Sequence, residues 1–387
     1  MTIAFTESEE RQALRRSVAA LGAKYGRDYF EQAARAGKKT TELWSEAGRN
    51  GFLGVAIPEE YGGGGGDIGD LAAVCEELAA AGSPLLLMVV SPAIVGTIIA
   101  QYGSDEQKQA LLPGLADGTS TFAFSITEPD AGSNSHNIIT TAFREADGWR
   151  LTGTKTYISG VDEASHVLVV ARTEDARSGK LKPALFLVPT DSEGFTYQEI
   201  DMGIVSPEKQ FTLFFDDVRV PAGALIGGEG AGIEQLFAGL NPERIMAASF
   251  ALGTARLALA KASEYAKQRT VWDAPIGAHQ AISHPLAQTH IEIEMARLMT
   301  QKAAALYAAG DVMRAAEAAN MAKYAAGEAV CNAVDRAIQT HGGNGLANEY
   351  GLVQMLAGSR LSRIAPVSRE MALNFVAQFS LGLPKSY

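Results

Sequence analysis

The sequence predicts an α+β chain with a helical N-terminal domain over residues 1–120, a central antiparallel β-barrel or sandwich over 121–232, and a C-terminal helical domain over 233–387. Three observations support that order. At 387 residues the chain is too long for one ordinary hydrophobic core. Both ends are rich in Ala, Leu, Glu and Arg at helical spacing. The stretch between them favours β-branched and aromatic residues in short runs broken by turn signals.

Residues 7–25 and 68–81 read as helices, and the five glycines Gly62 to Gly66 between them read as a flexible connector. No charge occurs between Glu77 and Asp105, but Pro84 and Pro92 interrupt that run and glycine and serine dilute it. A buried helix pair explains it better than a membrane span. Residues 107–115 form a further short helix ending before Gly118. Strands follow at 121–126, 149–151, 156–159, 166–171, 184–188 and 211–215, with turns at Asp147-Gly148 and Glu193-Gly194. No helical pattern alternates with them, which excludes a parallel βαβ sheet. The glycines from Gly228 to Gly232 follow no βαβ start and read as a connector rather than a dinucleotide fingerprint. Long helices are predicted at 233–240, 243–269, 284–309 and 313–340.

Hydrophobic residues make up 47% and charged residues 20%, as in an ordinary soluble protein. The net charge of −11 argues against a nucleic-acid binder. The start, MTIAFTESEERQALRR, lacks the apolar run of a signal peptide. Two cysteines far apart, Cys75 and Cys331, suit a reducing compartment, so a cytoplasmic location is expected. His279, His284 and His290 do not share a helix face as metal-binding pairs do, and His136, His166 and His341 are isolated. No metal is expected.

Five stretches carry a family likeness: 122–133 (FAFSITEPDAGS), 148–160 (GWRLTGTKTYISG), 214–232 (FFDDVRVPAGALIGGEGAG), 269–280 (RTVWDAPIGAHQ) and 339–345 (QTHGGNG). In order and spacing they resemble the motifs of the acyl-CoA dehydrogenase family. The resemblance covers nearly the whole chain and implies a C-terminal four-helix bundle, non-covalent FAD and an acyl-CoA substrate. It also implies an electron-transferring flavoprotein as electron acceptor and a homotetramer or a mixed α2β2 tetramer. Phe124, Ile126, Thr127, Tyr157, Ile158 and Ser159 would wall the flavin, with Ser133 near the thioester arm and the cofactor. Tyr157 and Ser159 stand where the family usually has tryptophan and threonine. Arg269, Trp272, His279, Gln280, Gln339, Gly342 and Gly343 match positions for the FAD pyrophosphate and adenosine, partly across a subunit boundary, and Ser368 is a further cofactor contact. A guanidinium suits pyrophosphate, and glycines let backbone approach a cofactor closely.

The reaction needs a carboxylate to take the α proton. Many family members carry it in a Glu-Gly-Thr loop, whose position here holds Pro366, or Ala365 if the register slides by one. Proline has no N–H, so the donor to the thioester carbonyl is expected from Ala365 or Val367. The usual upstream Arg-Asp pair is replaced by Ala357-Gly358. In isovaleryl-CoA and long-chain members the glutamate lies on another helix, and residues 240–244 (LNPER) place Glu243 there. Glu243 is the candidate base, Arg244 a candidate substrate-orienting neighbour, and Glu370 the reserve base. A purely structural role is open to Glu243 as well: Asn241 suits an N-cap, Pro242 a first helical position, and an acid the first turn. Two other activities fit the same scaffold, an acyl-CoA oxidase or flavin monooxygenase, and a base-less subunit that completes a partner's FAD site. The missing loop glutamate leaves room for a branched, cyclic or bulky acyl group.

Overall fold

The computed structural model describes residues 6–174, 179–228 and 232–385. The N-terminal part comprises α1 (Glu9–Arg35), α2 (Thr41–Arg49), α3 (Ile68–Ala80), α4 (Thr97–Tyr102) and α5 (Asp105–Ala116). Ser8 caps α1, and Asp67 with Asp70 forms a capping box on α3. Both satisfy amides that have no partner inside the helix. The five-glycine loop is not the flexible connector its composition suggests. The amides of Gly64, Gly65 and Gly66 donate to the carbonyls of Gly54, Ile57 and Val55. A Cβ on Gly63 would lie 2.1 Å from the Ile57 carbonyl oxygen, so the loop is folded tightly onto the preceding turn. The uncharged run forms one buried π-helical segment, Val89–Gly96, that continues into α4 with Pro92 inside it, rather than a helix pair.

The central sheet holds β1 (Phe122–Ser125), β2 (Thr141–Glu145), β3 (Gly148–Ser159), β4 (His166–Glu174), β5 (Leu181–Pro189), β6 (Phe195–Ile200), β7 (Gln210–Pro221) and β8 (Leu225–Ile226). Its order is β6-β7-β3-β2-β4-β5-β8, with β1 paired to β4. The sheet is mixed rather than purely antiparallel, because β1 and β2 both run parallel to β4. It is also not a closed barrel, since the described pairings leave β6 and β8 at opposite edges. The two strands expected at 149–151 and 156–159 are one strand, β3, whose pairing with β7 shifts register twice. Glu229, Gly230 and Ala231 of the expected connector lie outside the described residues.

The C-terminal part begins with α6 (Gly232–Gln268) and the hairpin of β9 (Thr270–Val271) and β10 (Ala274–Pro275). It continues with α7 (Gln280–Ala308), α8 (Val312–His341), α9 (Met355–Leu361) and α10 (Arg369–Phe375). Three long helices are completed by short ones. The helices expected at 233–240 and 243–269 are a single continuous helix with Pro242 in its interior. Asn241 is therefore not an N-cap; its side-chain oxygen accepts from Arg244 instead. Buried alanines on both helices, among them Ala251, Ala255 and Ala258 on α6 and Ala319, Ala322 and Ala326 on α8, let the backbones approach closely. By length and composition α6 could cross a membrane, yet most of its apolar stretch is buried within the fold.

Candidate active site

The residues expected to wall the flavin lie where β3 departs from regular pairing. The register shift between Lys155 and Ile158 coincides with a left-handed Tyr157 (φ 58°), which leaves that ring 60% exposed. A non-glycine residue in that conformation costs energy and persists only where its surroundings enforce it. Two residues before Tyr157 lies Lys155, a fully buried side chain that sequence reasoning passed over. Its ammonium donates to the Glu128 carboxylate (2.8 Å) and to the Ile126 carbonyl (3.0 Å). The Glu128 carboxylate also accepts from the Ile139 and Thr140 amides. Burial pulls the Lys155 ammonium down to about 8. Burial would raise Glu128, but its bonds from Lys155 and the two amides hold it below the usual carboxylate range. A backbone bond from Thr156 to Thr127 completes the tie between this loop and β3. The signal for Lys155 was a lysine inside a strand at a position that alternation turns inward.

Thr127 and Tyr157 are thus held on adjoining segments. Ser159 exchanges side-chain hydrogen bonds with Gln210 at the start of β7. The side chains of Phe124 and Ile158 belong to two different hydrophobic cores, so they face inward rather than toward a cofactor surface. Ser133 is exposed on the loop that follows Glu128.

The second group lies between α6 and α8. Glu243 occupies a mid-helix position, half-buried and crowded by protein. Burial raises its carboxyl to about 7 against the pull of Arg244 and Lys323. Glu243 does not lie in a first helical turn, because the helix begins at Gly232, so the helix dipole does not offset the effect of burial. Arg244 is lowered by burial and partly restored by Glu243. Lys323 on α8 was not foreseen. Its side chain is buried and brought down to about 8 by burial and by Arg244, and its ammonium donates to the Val367 carbonyl. That bond ties α8 to the loop where the family glutamate would stand.

The loop itself differs from expectation. The Ala365 amide donates to the Leu361 carbonyl (2.9 Å), so it is not free to meet a substrate carbonyl. Ser368 caps α10, accepting from the Met371 amide. Glu370 lies one turn beyond, its side chain 72% exposed.

The third group sits at the far end of the bundle. Arg269, Trp272, His279 and Gln280 are exposed around the β9–β10 hairpin. Trp272 and Asp273 form its tip, both left-handed, the backbone a two-residue hairpin of this twist requires. Tyr265 stacks on His341 (ring centroids 4.1 Å) and its hydroxyl accepts from Asn344 (3.1 Å). These contacts bring Gln339, Gly342 and Gly343 to the same end. Gly342 adopts φ 59°, ψ −134°, a conformation suited to glycine, with open space where a Cβ would project. The exposed ring at Tyr157 and this open glycine turn fit a flavin and a nucleotide respectively, so the residues present suit FAD. Among the described residues no group of three His, Cys, Asp or Glu could hold a metal.

Three family models cover almost the whole chain: the acyl-CoA dehydrogenase N-terminal domain over residues 8–119, middle domain over 123–218 and C-terminal domain over 230–381. The acyl-CoA dehydrogenase FadE12 of Mycobacterium tuberculosis is 63% identical over 383 residues, covering 99% of both chains. The solved glutaryl-coenzyme A dehydrogenase in complex with glutaryl-CoA superposes with a TM-score of 0.94 at 30% identity, covering 99% of this chain and 98% of its own. Butyryl-CoA dehydrogenase from Megasphaera elsdenii gives 0.89 at 30% identity, covering 96% and 97%. The three family models follow one another along the chain as its helical, β and helical parts do, and the protein belongs to the FAD-dependent acyl-CoA dehydrogenases.

Proposed function

We propose that Glu243 removes the α proton of an acyl-CoA thioester in a site that a second copy of the chain completes. The observation that carries this reading is the setting of Glu243: mid-helix, crowded by protein, with a carboxyl near 7. A base of that strength is largely ionised just above neutrality and still basic enough to accept a weakly acidic proton. Arg244 and Lys323 stop the carboxyl from rising further. Ala365 is already engaged, so we assign the donor to the thioester carbonyl to the Val367 amide, whose own carbonyl Lys323 holds. FAD, when bound along Thr127, Tyr157 and Ser159, supplies the acceptor for the hydride that leaves the β carbon.

The length of α6 supports a shared site. Glu243 and Gln268 are twenty-five residues apart on one helix, a span of about 38 Å. A flavin beside Glu243 therefore does not bring its nucleotide half to Arg269 of the same chain, and the partner's equivalent end takes that role. Ile291, Met295 and Leu298 form an exposed apolar stripe on α7, at the spacing of one helix face, and suit burial between subunits. We assign a homotetramer, with an electron-transferring flavoprotein as electron acceptor and a cytoplasmic setting.

The test is anaerobic mixing of FAD-loaded wild-type and Glu243→Gln protein with a panel of acyl-CoAs while flavin absorbance is followed. Bleaching by the wild type alone supports the assignment. Equal bleaching of both places the base elsewhere.

A further inference from the structure

Pro242 lies inside α6, immediately before the proposed base. An interior proline is costly for two reasons. It lacks the N–H that would bond to the carbonyl four residues earlier, and its ring crowds that carbonyl. Here the carbonyl belongs to Ala238, so the turn from Ala238 to Pro242 cannot close on itself.

A neighbouring helix supplies the missing donor. The Tyr307 hydroxyl, near the C-terminal end of α7, donates to the Ala238 carbonyl (2.9 Å). Gln101 on α4 donates in turn to the Tyr307 oxygen (3.0 Å), which leaves the hydroxyl proton to point at Ala238. Burial holds the Tyr307 phenol above its ordinary range, so it keeps that proton.

The same turn underlies the Glu243 side chain. A helical side chain leans toward the helix N-terminus and lies over the turn before its own Cα. For Glu243 that turn holds Gly239 and Leu240. An added Cβ on Gly239 would lie 2.7 Å from Ile98 on α4 and 3.1 Å from Ile94 on the π-helical segment, so α6 is pressed against both. Leu240 packs on the core to which these isoleucines belong. The turn that Pro242 opens and Tyr307 closes is thus an apolar floor for the carboxyl. The charges that act on Glu243 are Arg244 beside it and Lys323 on α8, which runs parallel to α6 with Tyr265 stacked on His341 near the far ends. Glu76 and Glu77 on α3 are paired with Arg256 on α6, and Glu76 also with Arg297 on α7. Neither α4 nor the π-helical segment carries a charge.

We propose that Tyr307 is a positioning residue for Glu243: its hydroxyl closes the turn that Pro242 opens and so fixes the surface over which the carboxylate lies. The inference rests on Glu243 as the base and adds the residue that holds it in place. Without the hydroxyl the turn parts at Ala238, water reaches the carboxyl, and its alignment with the α carbon is lost.

The experiment follows anaerobic flavin reduction by butanoyl-, octanoyl- and hexadecanoyl-CoA against pH in FAD-loaded wild type, Tyr307→Phe, Pro242→Ala and the double variant. Tyr307→Phe should lose about tenfold in plateau rate, with acyl-CoA affinity within roughly threefold of wild type. Its pH midpoint should fall by roughly half a unit or more, because a wetter carboxyl ionises at lower pH. Pro242→Ala restores the missing N–H, so adding Tyr307→Phe to it should cost less than about threefold and leave the midpoint unmoved. Denaturant melts at pH 5 and pH 8 read the same carboxyl without turnover: the stability that wild type loses across that interval should shrink in Tyr307→Phe. Should Tyr307→Phe fold poorly, Gln101→Ala, which only frees the hydroxyl to turn, is read the same way. An equal loss with and without Pro242→Ala, or a midpoint unmoved by Tyr307→Phe, overturns the inference while Glu243 stands. Flavin reduction by Glu243→Gln as fast as by wild type overturns the assignment of Glu243 and the inference with it.

Discussion

Glu243 on α6 and Lys323 on α8 sense one another across the groove between two parallel helices, and burial moves them in opposite directions. The carboxyl rises to about 7 and the ammonium falls to about 8. Each charge keeps the other from neutralising further, so the pair stays responsive near physiological pH.

Replacing Glu243 by glutamine keeps the shape of the side chain and removes the proposed base. Flavin reduction should slow by about 10²–10⁴-fold, the usual worth of a positioned base. Acyl-CoA binding should change little, which equilibrium titration of the variant would check. Glu370→Gln should stay within a few-fold of wild type, because that side chain is largely exposed.

The pH profile offers a separate check. Reduction should increase as pH rises through about 7, where Glu243 ionises, and level off above it. Lys323 lowers that carboxyl, so Lys323→Met should move the midpoint to higher pH. A midpoint unmoved in the variant would mean that Lys323 only supports the Val367 loop.

Stability should follow the same carboxyl. Its folded value lies above the ordinary 4.5, so between about 4.5 and 7 the folded protein binds more protons than the unfolded chain. Stability is then lost as pH rises through that window and is constant above it. Glu243→Gln relieves this cost and should be more stable than wild type at pH 8 by about 3 kcal/mol, the gap shrinking toward pH 5. Denaturant melts of the FAD-loaded proteins at the two pH values would measure it.

Lys155→Met leaves Glu128 buried without its main cation. Breaking a buried pair from one side costs about 3–5 kcal/mol. The loop at Ile126–Thr127 should loosen from β3, and FAD should be lost more readily on dilution. Glu128→Gln should do less harm, because the amide can still accept from Lys155 and from one of the two backbone amides. Thermal melts and FAD content after gel filtration distinguish the two variants.

The helical, β, helical order was legible because composition and periodicity report burial directly, and the family was legible through its motifs. Pro242 misled because its local chemistry suits a helix start. Packing of α6 against α3, α7 and α8 outweighs the roughly 3 kcal/mol that an interior proline costs. The five glycines suggested slack, whereas close backbone packing explains why Gly63 has no side chain. Ala365 looked available because a sequence does not reveal where an amide donates. Lys323 escaped notice as one lysine in a long alanine-rich helix, and only the packing of α8 beside α6 gives it a role.

The uninterrupted run of α6 from Gly232 to Gln268 has an evolutionary consequence. In the shared site proposed above, a helix that keeps the proposed base and the proposed nucleotide end far apart in one chain would make every catalytic centre a joint product of two copies. After gene duplication, one copy could discard its carboxylate and its twin its nucleotide contacts, and each assembled pair would still contain one whole centre. On that proposal, the length of a single helix would be what permits a division of labour between sister subunits.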